Sequence, residues 1–82
     1  MLSELLNGSK AIGLKQSQRA VCEGLALGAW VALDAEDHVT RPFLALCEQH
    51  AVPVHNVATM QELGAACGID VGAAVAVALR NE

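Results

Sequence analysis

Residues suited to binding an anion are concentrated in one early stretch of the chain. Lys10, Lys15 and Arg19 lie between residues 5 and 22, where no acidic residue occurs, although the chain has five basic and nine acidic residues and a net charge of −4. At helical spacing, Lys15 and Arg19 share one face. A local positive site can attract an anionic partner even on an acidic protein. The stretch therefore predicts a basic binding site, and a merely solvated helix face is the alternative.

The same stretch comes close to the P-loop that cradles nucleotide phosphates. A P-loop requires a lysine directly after its second glycine, followed by a Ser or Thr that binds magnesium. Here Leu14 and Lys15 follow Gly13, and Gln16 occupies the place of the hydroxyl residue. The 82 residues are also too few for a nucleotide-hydrolysing fold. We therefore expect no nucleotide and no other cofactor.

Histidine and cysteine are the remaining side chains suited to catalysis or metal binding. The histidines are His38, His50 and His55, and the cysteines are Cys22, Cys47 and Cys67. Their spacing does not match that of zinc ligands. Each cysteine has apolar neighbours in the sequence, which predicts three buried, unreactive thiols in a reducing compartment and favours burial over a Cys–His nucleophilic pair. We therefore predict no metal site and no enzymatic activity.

Helices and strands alternate along the chain and must position the basic stretch. The predicted helices are residues 4–7 with Ser3 as cap, residues 15–23, one with Arg41-Pro42 in its first turn that reaches His50, and one that begins at Thr59 and stops at Gly68. The predicted strands are a short apolar link at residues 11–12, then residues 29–33, 52–57 and 75–79. Residues 34–39 are predicted as a solvated acidic loop without the spacing of a calcium site. The Gly64 and Gly68 spacing is interpreted as caps and turns only.

This alternation defines the fold class. Hydrophobic residues make up 54% of the chain but only Trp30 and Phe43 are aromatic, so we expect a core built from Ala, Val, Leu and Ile, whose small side chains let helices lie close to a sheet. The element order predicts a three-layer α-β-α sandwich around a mixed four-stranded sheet, with residues 1–82 as a single domain. No signal peptide and no apolar run of about 20 residues is visible, so we expect a cytoplasmic protein.

Three segments together resemble one family of RNA-binding proteins. They are residues 13–20 (GLKQSQRA), residues 30–34 with the acidic loop that follows, and residues 62–74 (ELGAACGIDVGAA), of which the last is the most specific. The chain looks like the ribosomal protein L7Ae and L30e family, especially its short bacterial members, over nearly its whole length. The resemblance implies an α-β-α sandwich that recognises kink-turns, which are RNA duplexes bent sharply at an internal loop with tandem sheared G·A pairs.

By this resemblance, two segments contact RNA. The first motif of the family corresponds to Gly13, Lys15, Gln16 and Arg19, with Lys-Gln, as in short bacterial relatives, where archaeal relatives have Asn-Glu. The second segment consists of Ile69, Asp70, Val71 and Gly72, and in the family this loop packs apolar side chains against an extruded nucleotide. A glycine before a helix lets a sugar-phosphate backbone approach, and glutamine has donors and acceptors for guanine edges. Ordinary core packing is the alternative for each of the two apolar loop residues.

One departure from the family pattern affects the expected affinity. Relatives usually carry a cation near the end of the second helix, where this chain has Glu23. Weak RNA binding, binding narrowed to one particular RNA, and loss of RNA binding all remain open. If RNA binding is lost, the alternative function is an interaction module of the same fold that binds a protein partner. Otherwise we expect a monomer that binds a ribosomal RNA or a structured mRNA element.

Overall fold

The chain folds around one mixed sheet, and the computed structural model describes residues 8–80. In chain order the elements are β1 (Lys10–Ile12), α1 (Leu14–Cys22), β2 (Ala26–Ala32), α2 (Asp37–Gln49), β3 (Val54–Val57), α3 (Met60–Ala66) and β4 (Val75–Leu79). The strand order is β1-β4-β2-β3, with β4 antiparallel to both neighbours and β3 parallel to β2. The predicted mixed four-stranded sheet is confirmed, whereas the predicted helix at residues 4–7 lies outside the described residues.

Helices cover both faces of this sheet. α1 and α2 bury Val21 and Phe43 against one face, in a cluster that includes Val75. Trp30 and Leu63 belong to a second cluster on the opposite face, which α3 covers. Successive residues of a strand point to opposite faces, so β2 and β4 supply both clusters. Full burial of each large side chain contributes about 1.5–3 kcal/mol. The predicted three-layer sandwich is therefore confirmed.

The second described helix, α2, begins earlier than predicted. Glu36 is extended (φ −69°, ψ 139°), and its carbonyl accepts the N–H of Thr40, so the helix begins at Asp37. The predicted acidic loop at residues 34–39 is therefore wrong in its second half. Pro42 lies inside the helix and not in its first turn. The prediction was misled because proline is most common in the first turn of a helix.

Two strand boundaries also differ from the prediction. β2 begins three residues early, at Ala26, because its pairing with β4 continues past a bulge between Ala26 and Gly28. β3 begins at Val54, because the N–H of Val52 donates to the carbonyl of Cys47 in the turn that ends α2. The alternation of apolar residues shows neither the bulge nor the turn. A bulge shifts the alternation along a strand, and Ala51, Val52 and Pro53 of the turn are themselves apolar.

The three cysteines differ in burial. Cys47 and Cys67 are buried, and desolvation raises the pKa of both thiols. The positive charge of Lys10 opposes this shift at Cys67. Cys22, at the end of α1, is exposed, so the prediction of three buried thiols is wrong there. Its apolar neighbours in the sequence point to the sheet, while Cys22 lies on the outer side of the helix.

Residues 8–80 contain no group of three or more His, Cys, Asp or Glu side chains placed close enough together to hold a metal ion. None of the three described helices has the length and apolar character needed to cross a membrane.

Candidate nucleic-acid interface

The two predicted contact segments lie at the same end of the sheet. The N–H of Gly13, directly after β1, donates to the carbonyl of Val75 at the start of β4 (3.1 Å). The N–H of Ala32, at the end of β2, donates to the carbonyl of Ala74 (2.9 Å). The loop before β4 therefore joins the sheet beside the beginning of α1. We call residues 13–19 the α1 start and residues 69–72 the β4 loop.

The α1 start has an open N-terminal turn. Gly13 precedes the helix with φ +93° and ψ 162°, a conformation that suits glycine. Among the described residues, no side chain caps this helix and no acid lies in its first turn. A Cβ atom placed on Gly13 would meet no atom within 4 Å beyond its chain neighbours. The first-turn amides and the positive end of the helix dipole therefore face an open approach.

Three polar side chains of the α1 start share one concave surface. Lys15, Gln16 and Arg19 line a cavity of about 480 Å³, and all three are exposed. Ser17 lies on the opposite side of the helix, where it is fully buried and its hydroxyl donates to the carbonyl of Ala11 (3.4 Å). The buried side of α1 thus fixes the orientation of the helix. One anionic ligand can contact Lys15, Arg19 and the side-chain amide of Gln16 from the same direction.

Lys10 does not belong to this surface. In β1, Ala11 packs against the cluster under α1 and α2, whereas Ile12 packs against the cluster under α3. Lys10 lies two residues before Ile12, so the alternation of the strand places it on the α3 side. Its charge acts there on Cys67. The basic surface of α1 consequently has two cations, where the sequence suggested three.

An acidic side chain lies next to one of these two cations. The Nε atom of Arg19 and an oxygen of Glu23 are 3.8 Å apart, one helical turn from each other. Both side chains are largely exposed, so the pair contributes at most about 1 kcal/mol to stability. The carboxylate of Glu23 also lowers the positive potential that Arg19 presents to an anion.

The β4 loop exposes one apolar side chain and buries another in part. Val71 is 69% exposed, whereas Ile69 is half-buried and packs against the cluster under α3. Asp70 and Gly72 are exposed. Core packing, which the sequence left open for both apolar residues, therefore applies to Ile69 and not to Val71. The Val71 side chain remains free to contact a ligand.

Glycine at position 64 lets the β4 loop lie directly on α3. A Cβ atom on Gly64 would overlap the carbonyl oxygen of Val71. The N–H of Ile69 donates to the carbonyl of Gly64 (3.1 Å). A Cβ atom on Gly72 would lie 3.1 Å from the Cβ atom of Met60. The carbonyl of Gly64 thus takes part in the C-terminal cap of α3, as interpreted from the sequence. The interpretation missed the contact of Gly64 with the β4 loop, for which the available signal was a glycine in the interior of a predicted helix.

The start of α3 is held by two side-chain acceptors. Thr59 caps the helix as predicted, since its hydroxyl accepts the N–H of Glu62 (3.1 Å). The N–H of Met60 donates to Oδ1 of Asp34 (2.8 Å), and the carbonyl of Met60 accepts the N–H of Ala73 (3.0 Å). Asp34 was expected in a solvated loop, and no local pattern indicates a partner 26 positions later. α3 is therefore capped by side chains, whereas α1 is left open.

The fold is thus a three-layer α-β-α sandwich. One end of it carries an open, basic helix start and an exposed apolar loop. The chain belongs to the ribosomal protein L7Ae/L30e/S12e/Gadd45 family, whose model matches residues 6–82. This membership confirms the resemblance found in the sequence. The prediction that the chain is not an enzyme agrees with this family and with the relatives below, which are named RNA-binding proteins.

Bacterial proteins of nearly the same length are similar to this chain. An RNA-binding protein of Caldanaerobacter subterraneus subsp. tengcongensis is 36% identical over 81 residues, which cover 99% of each chain. The RNA-binding protein YbxF of Geobacillus stearothermophilus is 42% identical over 73 residues, which cover 89% of each chain. The similarity to these relatives therefore includes both the α1 start and the β4 loop.

Solved structures show the same fold. The 15.5kD RNA binding protein of Giardia lamblia has a TM-score of 0.90 at 23% identity, over 99% of this chain and 72% of that protein. A protein of unknown function from Bacillus halodurans has a TM-score of 0.85 at 26% identity, over 96% of this chain and 83% of that protein.

Proposed function

We propose that this protein binds RNA and recognises kink-turns. The proposed contacts are Gly13, Lys15, Gln16 and Arg19 of the α1 start and Ile69, Asp70, Val71 and Gly72 of the β4 loop. The observation that carries the proposal is the shared cavity of Lys15, Gln16 and Arg19 beside a helix start without a side-chain cap. The family and the names of its bacterial relatives, which are RNA-binding proteins, support the RNA-binding part of this proposal.

The chemistry of the α1 start suits the sugar-phosphate backbone and base edges of a bent RNA. Unpaired amides at a helix start bind phosphate oxygens, and the helix dipole favours negative charge there. Lys15 and Arg19 add two positive charges on the same face, and Gln16 can both donate to and accept from a guanine edge. A regular RNA duplex hides its major-groove base edges in a deep, narrow groove, whereas an internal loop exposes them.

The β4 loop suits a nucleotide that has left the stack. Val71 presents an exposed apolar side chain at the end of the sheet where α1 begins. An extruded nucleotide offers an apolar base face, and burying such a face against an aliphatic side chain is favourable. Ile69 supports this loop from below through the cluster under α3. The α1 start would thus recognise the charge of an RNA, and the β4 loop its bent shape.

A protein partner is the second candidate, and two observations favour it. The net charge is −4, and Glu23 reduces the positive potential at Arg19. In addition, Leu33 directly after β2 is 65% exposed, so among the described residues it adds a second exposed, large apolar side chain to Val71 at the interface end of the sheet. An apolar contact with a protein would depend weakly on salt, whereas phosphate contacts release counterions and depend on it strongly.

A titration with two RNAs at two salt concentrations tests the proposed function. The RNAs are a standard kink-turn and a straight duplex of equal length, at about 50 mM and 200 mM salt. We expect tighter binding to the kink-turn and a marked loss of affinity at the higher salt concentration. Equal affinity for both RNAs would contradict recognition of the kink-turn. Absence of binding to either RNA would favour the protein partner.

The target and the setting of this activity are also proposed. We propose a monomer that acts in the cytoplasm on a ribosomal RNA or a structured mRNA element. The family includes ribosomal proteins, which supports a ribosomal RNA target. Three free cysteines without a disulfide among the described residues suit a reducing compartment.

A further inference from the structure

The β4 loop is linked to a distant part of the chain through the first residue of α3. Its own hydrogen bond to α3 is that of the Ile69 N–H with the Gly64 carbonyl. Directly after the loop, the N–H of Ala73 donates to the carbonyl of Met60 (3.0 Å). The N–H of Met60 in turn donates to Oδ1 of Asp34 (2.8 Å). Two consecutive hydrogen bonds thus connect the loop after β2 with the end of the β4 loop.

Asp34 is well placed to hold this connection. The N–H of the preceding residue, Leu33, donates to the carbonyl of Val57 (2.8 Å), so the backbone beside Asp34 is attached to the sheet. Met60 is the first residue of α3, and its N–H has no acceptor within the helix. A hydrogen bond to a charged carboxylate is stronger than one between neutral groups. Loss of this acceptor would release the first turn of α3, to which Ala73 is bonded.

We propose that Asp34 is a positioning residue for RNA recognition, which it supports by holding the β4 loop in place through Met60. This inference rests on the proposed function, because it gives the loop position a role in binding. From the sequence, Asp34 was expected in a solvated acidic loop, whereas this inference gives its carboxylate a structural role. A carboxylate close to an RNA surface repels phosphate, so its presence at this end of the sheet needs such a structural reason.

Two substitutions separate the acceptor from the charge. Asp34→Asn removes the negative charge but keeps an oxygen that can accept the Met60 N–H, whereas Asp34→Ala removes both. If Asp34 affected RNA through charge alone, both variants would bind more tightly and to the same degree. Thr59→Ala is the matched structural control, because it removes the cap of the Glu62 N–H and leaves the bond between Met60 and Asp34 intact.

The first measurement needs no RNA and reads the opening of the hydrogen bonds that connect Asp34 with the end of the β4 loop. Amide hydrogen exchange of the free protein should become about tenfold faster at Met60 and Ala73 in Asp34→Ala, because a hydrogen bond to a charged group is lost. Asp34→Asn should restore most of the protection. Leu25 lies beyond the far end of α1, and its N–H donates to the carbonyl of Ala20. The exchange rate of this amide should not change in either variant. Unchanged exchange at Ala73 in Asp34→Ala would overturn the inference.

The second measurement reads recognition as the ratio of affinities for kinked and straight RNA. Asp34→Ala should lower this ratio by about tenfold, whereas Asp34→Asn and Thr59→Ala should keep it near that of the parent. The effect of Asp34→Ala should largely disappear when Val71 is already replaced by Ala, because both changes remove the same contact. It should remain when Lys15 is replaced by Ala, since that residue contacts RNA independently.

The outcomes separate this inference from the function on which it rests. If the parent protein does not prefer kinked RNA, the proposed function fails and the recognition role of Asp34 fails with it, while the exchange data still show whether Asp34 holds the loop. If the parent prefers kinked RNA but Asp34→Ala keeps the full ratio, the function stands and the role of Asp34 is overturned. An equal gain of affinity in both Asp34 variants would also overturn it, because charge alone would then explain the residue.

Discussion

The Nε atom of Arg19 lies 3.8 Å from an oxygen of Glu23, one turn further along α1. Arg19 is one of the two cations in the cavity of the α1 start, so half of the positive charge of this surface has a carboxylate beside it. Attraction between an exposed cation and RNA therefore competes with attraction inside the protein. We therefore expect RNA affinity to be sensitive to the charge at position 23.

We expect Glu23→Lys to tighten RNA binding and to steepen its dependence on salt. The substitution removes the carboxylate beside Arg19 and adds a cation that can release a further counterion. Binding is measured at several salt concentrations, with Glu48→Lys on α2 as a control of equal charge change. Weaker binding, or the same salt slope in the Glu23 variant as in the parent, would show that the end of α1 lies away from the RNA.

Removing either cation of the α1 start should weaken binding. We expect Lys15→Ala and Arg19→Ala each to cost about 1–3 kcal/mol if the side chain contacts a base edge, and less if it contacts phosphate only. Arg41→Ala is the control, because Arg41 also forms an exposed i, i+4 pair, with Asp37 at 3.5 Å, on a different helix. Circular dichroism checks the fold. Unchanged affinity in both α1 variants would contradict the assignment.

The β4 loop should matter without contributing positive charge. Val71→Asp would place a carboxylate against the nucleotide and its backbone, so we expect reduced affinity for the kink-turn and little change for the straight duplex. Because Val71 is mostly exposed, the fold should tolerate the change. Leu27→Asp is the control, an exposed aliphatic residue at the opposite end of β2. Equal losses for both RNAs would indicate general repulsion and not recognition of shape.

The sequence predicted the sheet, the layers and most elements because these follow from local patterns. Thr59 with Glu62 marked the start of α3, and the short apolar run at residues 75–79 marked a strand buried on both faces. Contacts between residues far apart in the chain had no such signal. The bond between Asp34 and Met60 was missed for that reason, as was the contact of Gly64 with the β4 loop. Cys22 was misplaced because neighbours in sequence on a helix lie on different faces.

Substitution of Gly64 should disturb the β4 loop while α3 itself remains helical. In Gly64→Ala the new methyl group would overlap the carbonyl of Val71, so the loop must move. We expect a loss of about 1–3 kcal/mol of stability in urea unfolding, together with weaker binding to the kink-turn. Gly28→Ala is the control, because a Cβ atom there would lie 3.5 Å from the Trp30 ring, an ordinary contact distance. A fully stable Gly64→Ala variant would show that the loop position is not restricted in this way.

The thiols should react at two different rates. Cys22 is exposed and should react with a disulfide reagent in the native protein, whereas Cys47 and Cys67 should react only after unfolding. The Cys22→Ser variant should remove the fast reaction, and a fast reaction that persists in this variant would show that one of the buried thiols is accessible.

The same two buried thiols predict how stability depends on pH. Burial raises the pKa of Cys47 and Cys67 above the usual value of 9.0, so the unfolded chain loses these protons first. Their contribution to the free energy of unfolding is therefore fully present below about pH 9 and is lost as pH rises through the folded pKa values. Urea unfolding of the Cys22→Ser variant at neutral pH and above pH 9 measures this loss. Equal stability at both pH values would contradict the burial of these two thiols.

The position of β4 in the sheet determines when the interface forms during folding. β4 is the last described strand along the chain, yet it lies between β1 and β2 and pairs with both. Until Val75–Leu79 is available, β1 has no neighbour in the sheet and the Gly13 N–H has no Val75 carbonyl to bond. A nascent chain on the ribosome would therefore lack the α1 start in its final position. We therefore expect the proposed RNA contacts of the α1 start to form only after β4 has been synthesised.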